Sequence, residues 1–368
     1  QIDAKEIEFT FFNSYDSTEQ KAAAYVPDDY SKKKSWPLLV IAHYYGGNRF
    51  TAKKQGYYEQ AKKRGMLVVC PELHGLRTPG TKSLAALSAQ HDVLDSIEYM
   101  KKHYKVDESR IYLAGRSMGG QMAMVLGAKK APLFAAVMAG QGVSDMLKFY
   151  ETTTPALRKG IEEEMQGPPS EKNMFEYRRR SAINYARNLK YVPFMMWHGT
   201  NDKWVIPAMS LELFKAIRSY NPFQPEVNWL LCASHCAINY TPEWICDKLQ
   251  YYQNVAEAGT GLKRRFFSEL NFVTDEDTDF FWITVKLKDK NKFCKVDASI
   301  KNGALAINVE NVSVLKVNLD KIAKTSTFSR CGVTSDNVLT FTVTRGGKTV
   351  AGKIGDEFNL LLGKKTMH

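Results

Sequence analysis

Ser117 sits between glycines in Gly115-Arg116-Ser117-Met118-Gly119-Gly120, a G-x-S-x-G pattern that follows an apolar run and opens a helical one. In that context the pattern describes a nucleophile elbow, a strand-to-helix turn too tight for side chains at its edges, with the serine held at the tip. A serine hydroxyl attacks poorly near neutral pH unless a base takes its proton and a third group orients the base. Asp202, in His198-Gly199-Thr200-Asn201-Asp202, and His235, in Ala233-Ser234-His235-Cys236, each follow an apolar run and supply those two groups. Acyl transfer also needs donors aimed at the developing oxyanion. The backbone N–H of Met118, next after the nucleophile, is one. The other is expected from His43-Tyr44-Tyr45-Gly46-Gly47, where Tyr45 offers a backbone N–H or a phenol. Tyr44, Arg116 and Trp204 are the candidate substrate contacts. Of the competing histidines, His198 reads as structural, and His74 and His91 lack a suitably placed carboxylate.

The elements that must position these residues alternate. Largely apolar runs without alternation lie at 36–43, 66–70, 110–114, 134–139, 192–198 and 227–232, as expected of parallel strands buried on both faces. Helical patterns fill 51–64, 84–103, 118–130, 207–220 and 242–254. The rhythm predicts a mostly parallel, doubly wound α/β sheet. It breaks at about 144–190, which carries Thr152 to Pro155, Gly167-Pro168-Pro169 and the charged run Glu176 to Arg180. That stretch reads as an insertion covering the site, since long irregular connections are usually functional. Beyond Ala256 to Gly261 the pattern turns to strands at 280–287, 304–309, 312–319 and 338–344, with a hairpin turn at Gly346-Gly347. The division expected is a catalytic domain over 1–258 and a small antiparallel, sandwich-like β domain over 262–368.

Composition narrows the function classes. Apolar residues are 44% and charged residues 24% of 368, ordinary globular usage. Apolar runs reach about seven residues, far short of the roughly 20 that span a bilayer. The net charge is +12, half of it after residue 261. No zinc-finger, homeodomain or RNA-recognition pattern accompanies it, so nucleic acid is not the expected partner, and an acidic polysaccharide docking on the basic β domain is. No dinucleotide fingerprint, P-loop or paired Cys-x-x-Cys appears, so no cofactor and no metal are expected. The even cysteine count permits disulfides, Cys294 with Cys331, or Cys246 with Cys232 or Cys236. A start at Gln1 without a leader suits a secreted or periplasmic protein.

Ser117 in GRSMGG, Asp202 in HGTNDKWV and His235 in ASHC, with HYYGG ahead, resemble the α/β-hydrolase superfamily. The branch looks like the prolyl-oligopeptidase-type and feruloyl-esterase or polyhydroxybutyrate-depolymerase-type hydrolases, over roughly residues 5 to 255. Those families usually carry H-G-x-G-G, and Tyr44 stands where the first glycine is expected. Tyr45-Gly46-Gly47 looks like the oligopeptidase tyrosine whose hydroxyl is an oxyanion donor. The resemblance implies a serine hydrolase, read here as an esterase acting through an acyl-enzyme, and a basic exported chain favours plant cell-wall esters (feruloyl or acetyl esters of polysaccharide) as its substrates. The alternatives are an oligopeptidase-type serine peptidase, which a missing N-terminal propeller argues against, a polyester depolymerase, and, remotely, a non-catalytic carbohydrate-binding protein.

Overall fold

The computed structural model describes residues 5–76, 82–221, 225–235, 240–255, 267–301, 304–322, 330–337, 339–346, 348–354 and 357–361. The chain divides into two compact units, Gln1–Lys263 and Arg264–His368. Residues 256–261, Cys236 and Gly347, which figured in the sequence reading, lie outside the described residues.

The first unit opens with two antiparallel strands, β1 (Lys5–Phe12) and β2 (Glu19–Val26). The chain continues through β3 (Trp36–Ala42), α1 (Thr51–Lys54), α2 (Tyr57–Arg64), β4 (Leu67–Pro71), α3 (Leu87–His103), β5 (Val106–Arg116), α4 (Met118–Lys129) and β6 (Ala136–Gly140). Four helical segments follow: α5 (Met146–Thr152), α6 (Pro155–Met165), α7 (Met174–Arg179) and a 3₁₀ stretch, Ala182–Tyr191. The unit ends with β7 (Phe194–Gly199), α8 (Ala208–Arg218), β8 (Glu226–Leu230) and α9 (Pro242–Val255). The eight strands form one sheet in the order β1-β2-β4-β3-β5-β6-β7-β8. From β4 to β8 the pairs are parallel, and β2 joins antiparallel to β4. This is the α/β-hydrolase arrangement. All residues of β3, β4, β6 and β7 are buried, which is why they read as unbroken apolar runs.

Three expectations are corrected. The single helix read over 51–64 is two, because Gly56 takes φ +86°, a left-handed conformation that stops α1 and starts α2. The run at 227–232 is not buried on both faces, since β8 is the sheet edge and its residues are half-exposed or exposed. The Thr152 to Pro155 cluster is a helix start: Thr154 caps α6 by accepting from Leu157 N–H, with Pro155 in the first turn. The charged run 176–180 turns inward at Arg180, which is fully buried against the equally buried Glu164 at 3.0 Å and also pairs with Glu176. Its guanidinium donates to Ser83 O at 3.1 Å, so the insertion is pinned to the loop before α3. Breaking one partner of such a buried pair typically costs about 3–5 kcal/mol.

His74 is paired after all, though not where it reaches Ser117. Its Nδ1 meets Asp92 at 2.7 Å and its Nε2 meets Asp16 at 2.8 Å. Asn13 donates to the other Asp92 oxygen at 2.7 Å, so the turn between β1 and β2 is tied to α3. Burial opposes charge on the imidazole, but hydrogen bonds and Coulomb attraction from Asp92 and Asp16 outweigh it and raise the His74 pKa from 6.5 to about 9. A folded-state pKa above the unfolded one stabilises fully below about pH 6.5 and fades as pH rises through about 9. His74→Gln should therefore lower urea-unfolding stability by roughly 2 kcal/mol at pH 6 and by little at pH 10. A deficit that grows with pH would contradict the assignment.

The second unit holds β9 (Glu269–Thr274), β10 (Thr278–Phe280), β11 (Ile283–Leu287), β12 (Cys294–Lys301), β13 (Ala304–Glu310), β14 (Val312–Asn318), β15 (Arg330–Ser335), β16 (Leu339–Arg345), β17 (Lys348–Ile354) and β18 (Glu357–Leu361). They make two five-stranded sheets, β10-β11-β14-β16-β17 and β18-β15-β13-β12-β9. Buried Phe272 and Phe280, one from each sheet, stack at 4.4 Å, so the sheets close as a sandwich. Each sheet contains one parallel pair, β13 with β15 and β14 with β16, where wholly antiparallel pairing was expected. The run 280–287 is split, with Phe281 at φ +55° turning β10 into β11.

The proposed disulfides are absent: Cys70, Cys232, Cys246 and Cys294 are free thiols. Cys294 on β12 and Cys331 on β15 have β13 between them, which puts their Cα atoms at least about 9 Å apart, beyond the roughly 7 Å a disulfide spans. Cys246 is buried in the core beside Tyr57 and Cys70, whereas Cys232 is exposed past β8. Burial pushes the thiols of Cys70, Cys246 and Cys294 up to about 12.

Candidate active site

β5 ends at Arg116 and α4 begins at Met118, leaving Ser117 alone on the turn at φ 59° and ψ −122°. The flanking glycines are there for contact. A Cβ on Gly115 would lie 2.2 Å from Gly119 O, and one on Gly119 would lie 2.0 Å from Ala42 O. Strand, turn and helix are thus in backbone contact, and only glycine permits it. Ser117 N–H donates to Gly140 O at 2.8 Å, fixing the turn to β6.

The other two members converge on that turn from loops after β7 and β8. His235 Nε2 is 2.9 Å from Ser117 Oγ, and His235 Nδ1 is 2.7 Å from Asp202 Oδ2. The loops are laced together: Asn201 N–H donates to Ala233 O at 3.0 Å, and Gln141 Nε2 donates to Ser234 O at 2.9 Å. Asp202 is buried, and its Oδ1 accepts the N–H groups of Trp204 at 2.9 Å and Val205 at 3.0 Å. Burial alone would raise its pKa. Hydrogen bonds from His198 and His235, the imidazole charge and the Val205 N–H outweigh that and hold the carboxyl well below the ordinary range.

His198 is the part that sequence reasoning undervalued. It is buried on β7, with Nδ1 2.7 Å from Ser210 Oγ and Nε2 2.8 Å from Val205 O. The same Nε2 lies 3.3 Å from Asp202 Oδ2, four residues on. A proton on Nε2 satisfies both acceptors, and Nδ1 then accepts from Ser210. The acid is therefore held from one side by His198 and presented to His235 from the other. The H-G-x-x-D spacing permits that contact without assigning it, because the turn must also fold the histidine back onto the carboxylate.

Both oxyanion candidates line the cavity that opens on Ser117. Met118 is the first residue of α4, where no intrahelical acceptor exists for its N–H and the helix dipole favours negative charge. The Tyr45 hydroxyl is seated against α6, since a Cβ on Gly160 would come within 2.5 Å of it. Burial, with help from Glu163 and Glu164, raises that phenol's pKa, so it stays protonated.

A cavity of about 290 Å³ opens on Ser117 and His235, and Tyr44, Tyr45, Arg116, Met118 and Trp204 all line it. The Trp204 ring lies 5.4 Å from the His235 ring and is half exposed. The inner wall was not foreseen: Leu84, Phe149, Leu157 and Ile161, three of them from α5 and α6. Leu157 and Ile161 are four apart on one face of α6, the apolar spacing that could have marked them. The insertion thus supplies walls of the substrate cavity.

A model of the prolyl oligopeptidase family matches residues 57–258. Dipeptidyl-peptidase 5 of Porphyromonas gingivalis is 26% identical over 204 residues, 52% of this chain and 29% of that protein. The Bacillus subtilis protein YitV, named as an esterase, is 26% identical over 53% of this chain and 80% of its own length. The crystal structure of the Pyrococcus horikoshii acylaminoacyl peptidase superposes with a TM-score of 0.53 at 20% identity, covering 69% of this chain and 42% of that one. The chain therefore spans under a third of the dipeptidyl peptidase it matches.

Proposed function

The chain belongs to the prolyl oligopeptidase family and is a serine hydrolase; on that premise we propose that it cleaves carboxylic esters through an acyl-enzyme on Ser117. The observation that carries the mechanism is the unbroken chain of contacts from Ser117 through His235 to Asp202. His235 Nε2 takes the hydroxyl proton as Oγ attacks the ester carbonyl. The imidazolium, held by the ionised Asp202, returns that proton to the departing alkoxide. Backbone N–H groups of Met118 and Tyr45 receive the oxyanion. Water, deprotonated by the same His235, then releases the acid.

The preference for esters over peptides rests on the cavity lining. Among the described residues that line it there is no carboxylate to hold a free α-amino group, and the charged side chain among them is Arg116. Apolar walls from Leu84, Phe149, Leu157 and Ile161 suit an uncharged acyl group, aromatic ones included. Feruloyl or acetyl esters of plant cell-wall polysaccharide remain our finer reading, with the basic second unit as the docking surface. The peptidase reading draws on the relationship to dipeptidyl-peptidase 5. The test is to assay p-nitrophenyl acetate, p-nitrophenyl butyrate and methyl ferulate beside alanyl- and prolyl-p-nitroanilides. Ester kcat/KM at least about 100-fold above anilide kcat/KM is expected; anilide turnover without ester turnover would overturn the ester assignment.

A further inference from the structure

Several arginines of the first unit pair with carboxylates, while Arg158 and Arg218 lie over the rings of Tyr150 and Phe214. Arg49 pairs with Glu8 and Glu72, Arg64 with Asp247, Arg110 with Asp107, and Arg180 with Glu164. Arg116 combines a ring contact with a place in the cavity. It lies next to the nucleophile and lines the cavity, yet no carboxylate among the described residues pairs with it. Its guanidinium instead lies over the Tyr44 ring, 5.7 Å from the centroid. The neighbouring ring is treated alike: Lys82 Nζ lies 5.4 Å from the centroid of Tyr45, again with no carboxylate partner among the described residues. Two adjacent aromatic walls of the cavity each carry a cation that pairs with no carboxylate among the described residues.

That arrangement has a physical consequence. A guanidinium is always ionised, and with only an aromatic face beside it most of its donors are free to reach outward. Charge–quadrupole attraction to the ring fixes its position without neutralising it. Buried on one side by the cavity wall, such a cation interacts with an anion more strongly than it would in bulk water. We propose that Arg116, assisted by Lys82, forms an anion subsite, and that the preferred substrates carry a carboxylate near the scissile carbonyl while the apolar cavity takes an uncharged portion. The inference rests on the serine-hydrolase reading of the same site and names a substrate class within it.

The experiment compares matched esters differing in one charge. 4-Acetoxybenzoate against its methyl ester places the anion on the leaving side, and mono-4-nitrophenyl adipate against 4-nitrophenyl hexanoate places it on the acyl side. In the full chain, the ratio of anionic to neutral kcat/KM in at least one pair should fall roughly 10- to 100-fold in Arg116→Gln, the range for a lost charge-assisted hydrogen bond. Arg116→Glu should lower the ratio further, Lys82→Gln should lower it by roughly two- to fivefold, and 0.5 M NaCl should lower it in the wild type. Because each ratio is internal to one protein, a variant that folds less efficiently still reports correctly. Ratios indifferent to Arg116 in both pairs, with the wild type turning over the neutral esters, overturn the anion subsite alone. A wild type that turns over neither member of either pair and takes no fluorophosphonate label overturns the catalytic reading together with this inference.

Discussion

Ser117→Ala should reduce kcat/KM for p-nitrophenyl butyrate by on the order of 10⁵-fold and abolish labelling by a fluorophosphonate probe, while the protein stays folded. The backbone argument makes this a clean substitution. Ser117 holds φ 59° and ψ −122° because strand, turn and helix are packed backbone to backbone at Gly115 and Gly119. Alanine inherits that strain and the bond from its N–H to Gly140 O without adding any atom. What disappears is the hydroxyl bonded to His235, so the midpoint of thermal unfolding should shift by no more than about 2 °C, the effect of a few tenths of a kcal/mol. A variant retaining more than about 1% of wild-type turnover would place the nucleophile elsewhere. The non-catalytic reading, a binding protein on a hydrolase scaffold, makes the opposite forecast: no labelling of the wild type at all.

How far each part could be read beforehand depended on how local its cause was. The elbow was legible because its requirement is local: Gly115 and Gly119 are glycines on account of backbone atoms within four residues or one strand away. The strands β3, β4, β6 and β7 were legible because burial on both faces writes itself into a continuous apolar run. β1 and β2 leave no such mark. They are antiparallel at the sheet edge, and β2, Glu-Gln-Lys-Ala-Ala-Ala-Tyr-Val, has few of the β-branched residues that mark a strand. The insertion was seen and its character missed, because Thr154-Pro155 means either a turn or a capped helix until the Leu157 to Ile161 spacing decides it. His198 and Arg180 could not be assigned from spacing alone. One acts through a carboxylate brought back by a turn, the other through Glu164, sixteen residues away on another helix. Disulfide pairing failed for a related reason: counting cysteines says nothing about the strand lying between two of them.

The second large effect is expected at the acid. Asp202→Asn should lower kcat by about 10⁴-fold with KM changed only a few-fold, the signature of a base held in the wrong tautomer. The surroundings dictate which way the amide turns. Oδ1 of Asp202 accepts from the N–H groups of both Trp204 and Val205, so in the variant the amide oxygen belongs on that side and the NH₂ must occupy the place of Oδ2. Oδ2 is the atom that His235 Nδ1 and His198 Nε2 approach, at 2.7 and 3.3 Å. A donor there opposes the proton on each ring. His235 avoids the clash by moving its proton to Nε2, and an Nε2–H cannot take the proton of Ser117. His198 cannot follow without giving up Val205 O, which also needs the Nε2 proton. A modest loss of stability, about 1–3 kcal/mol for one unsatisfied buried donor, should therefore accompany the kinetic defect. Adding His198→Gln to the Asn variant should cost less stability than it costs the wild type, because the contact is already broken. Single-turnover kinetics and urea unfolding measure the two halves separately; a kcat loss below tenfold would show that Asp202 does not govern the tautomer of His235, and stability costs that simply add would show that Asp202 and His198 are not coupled.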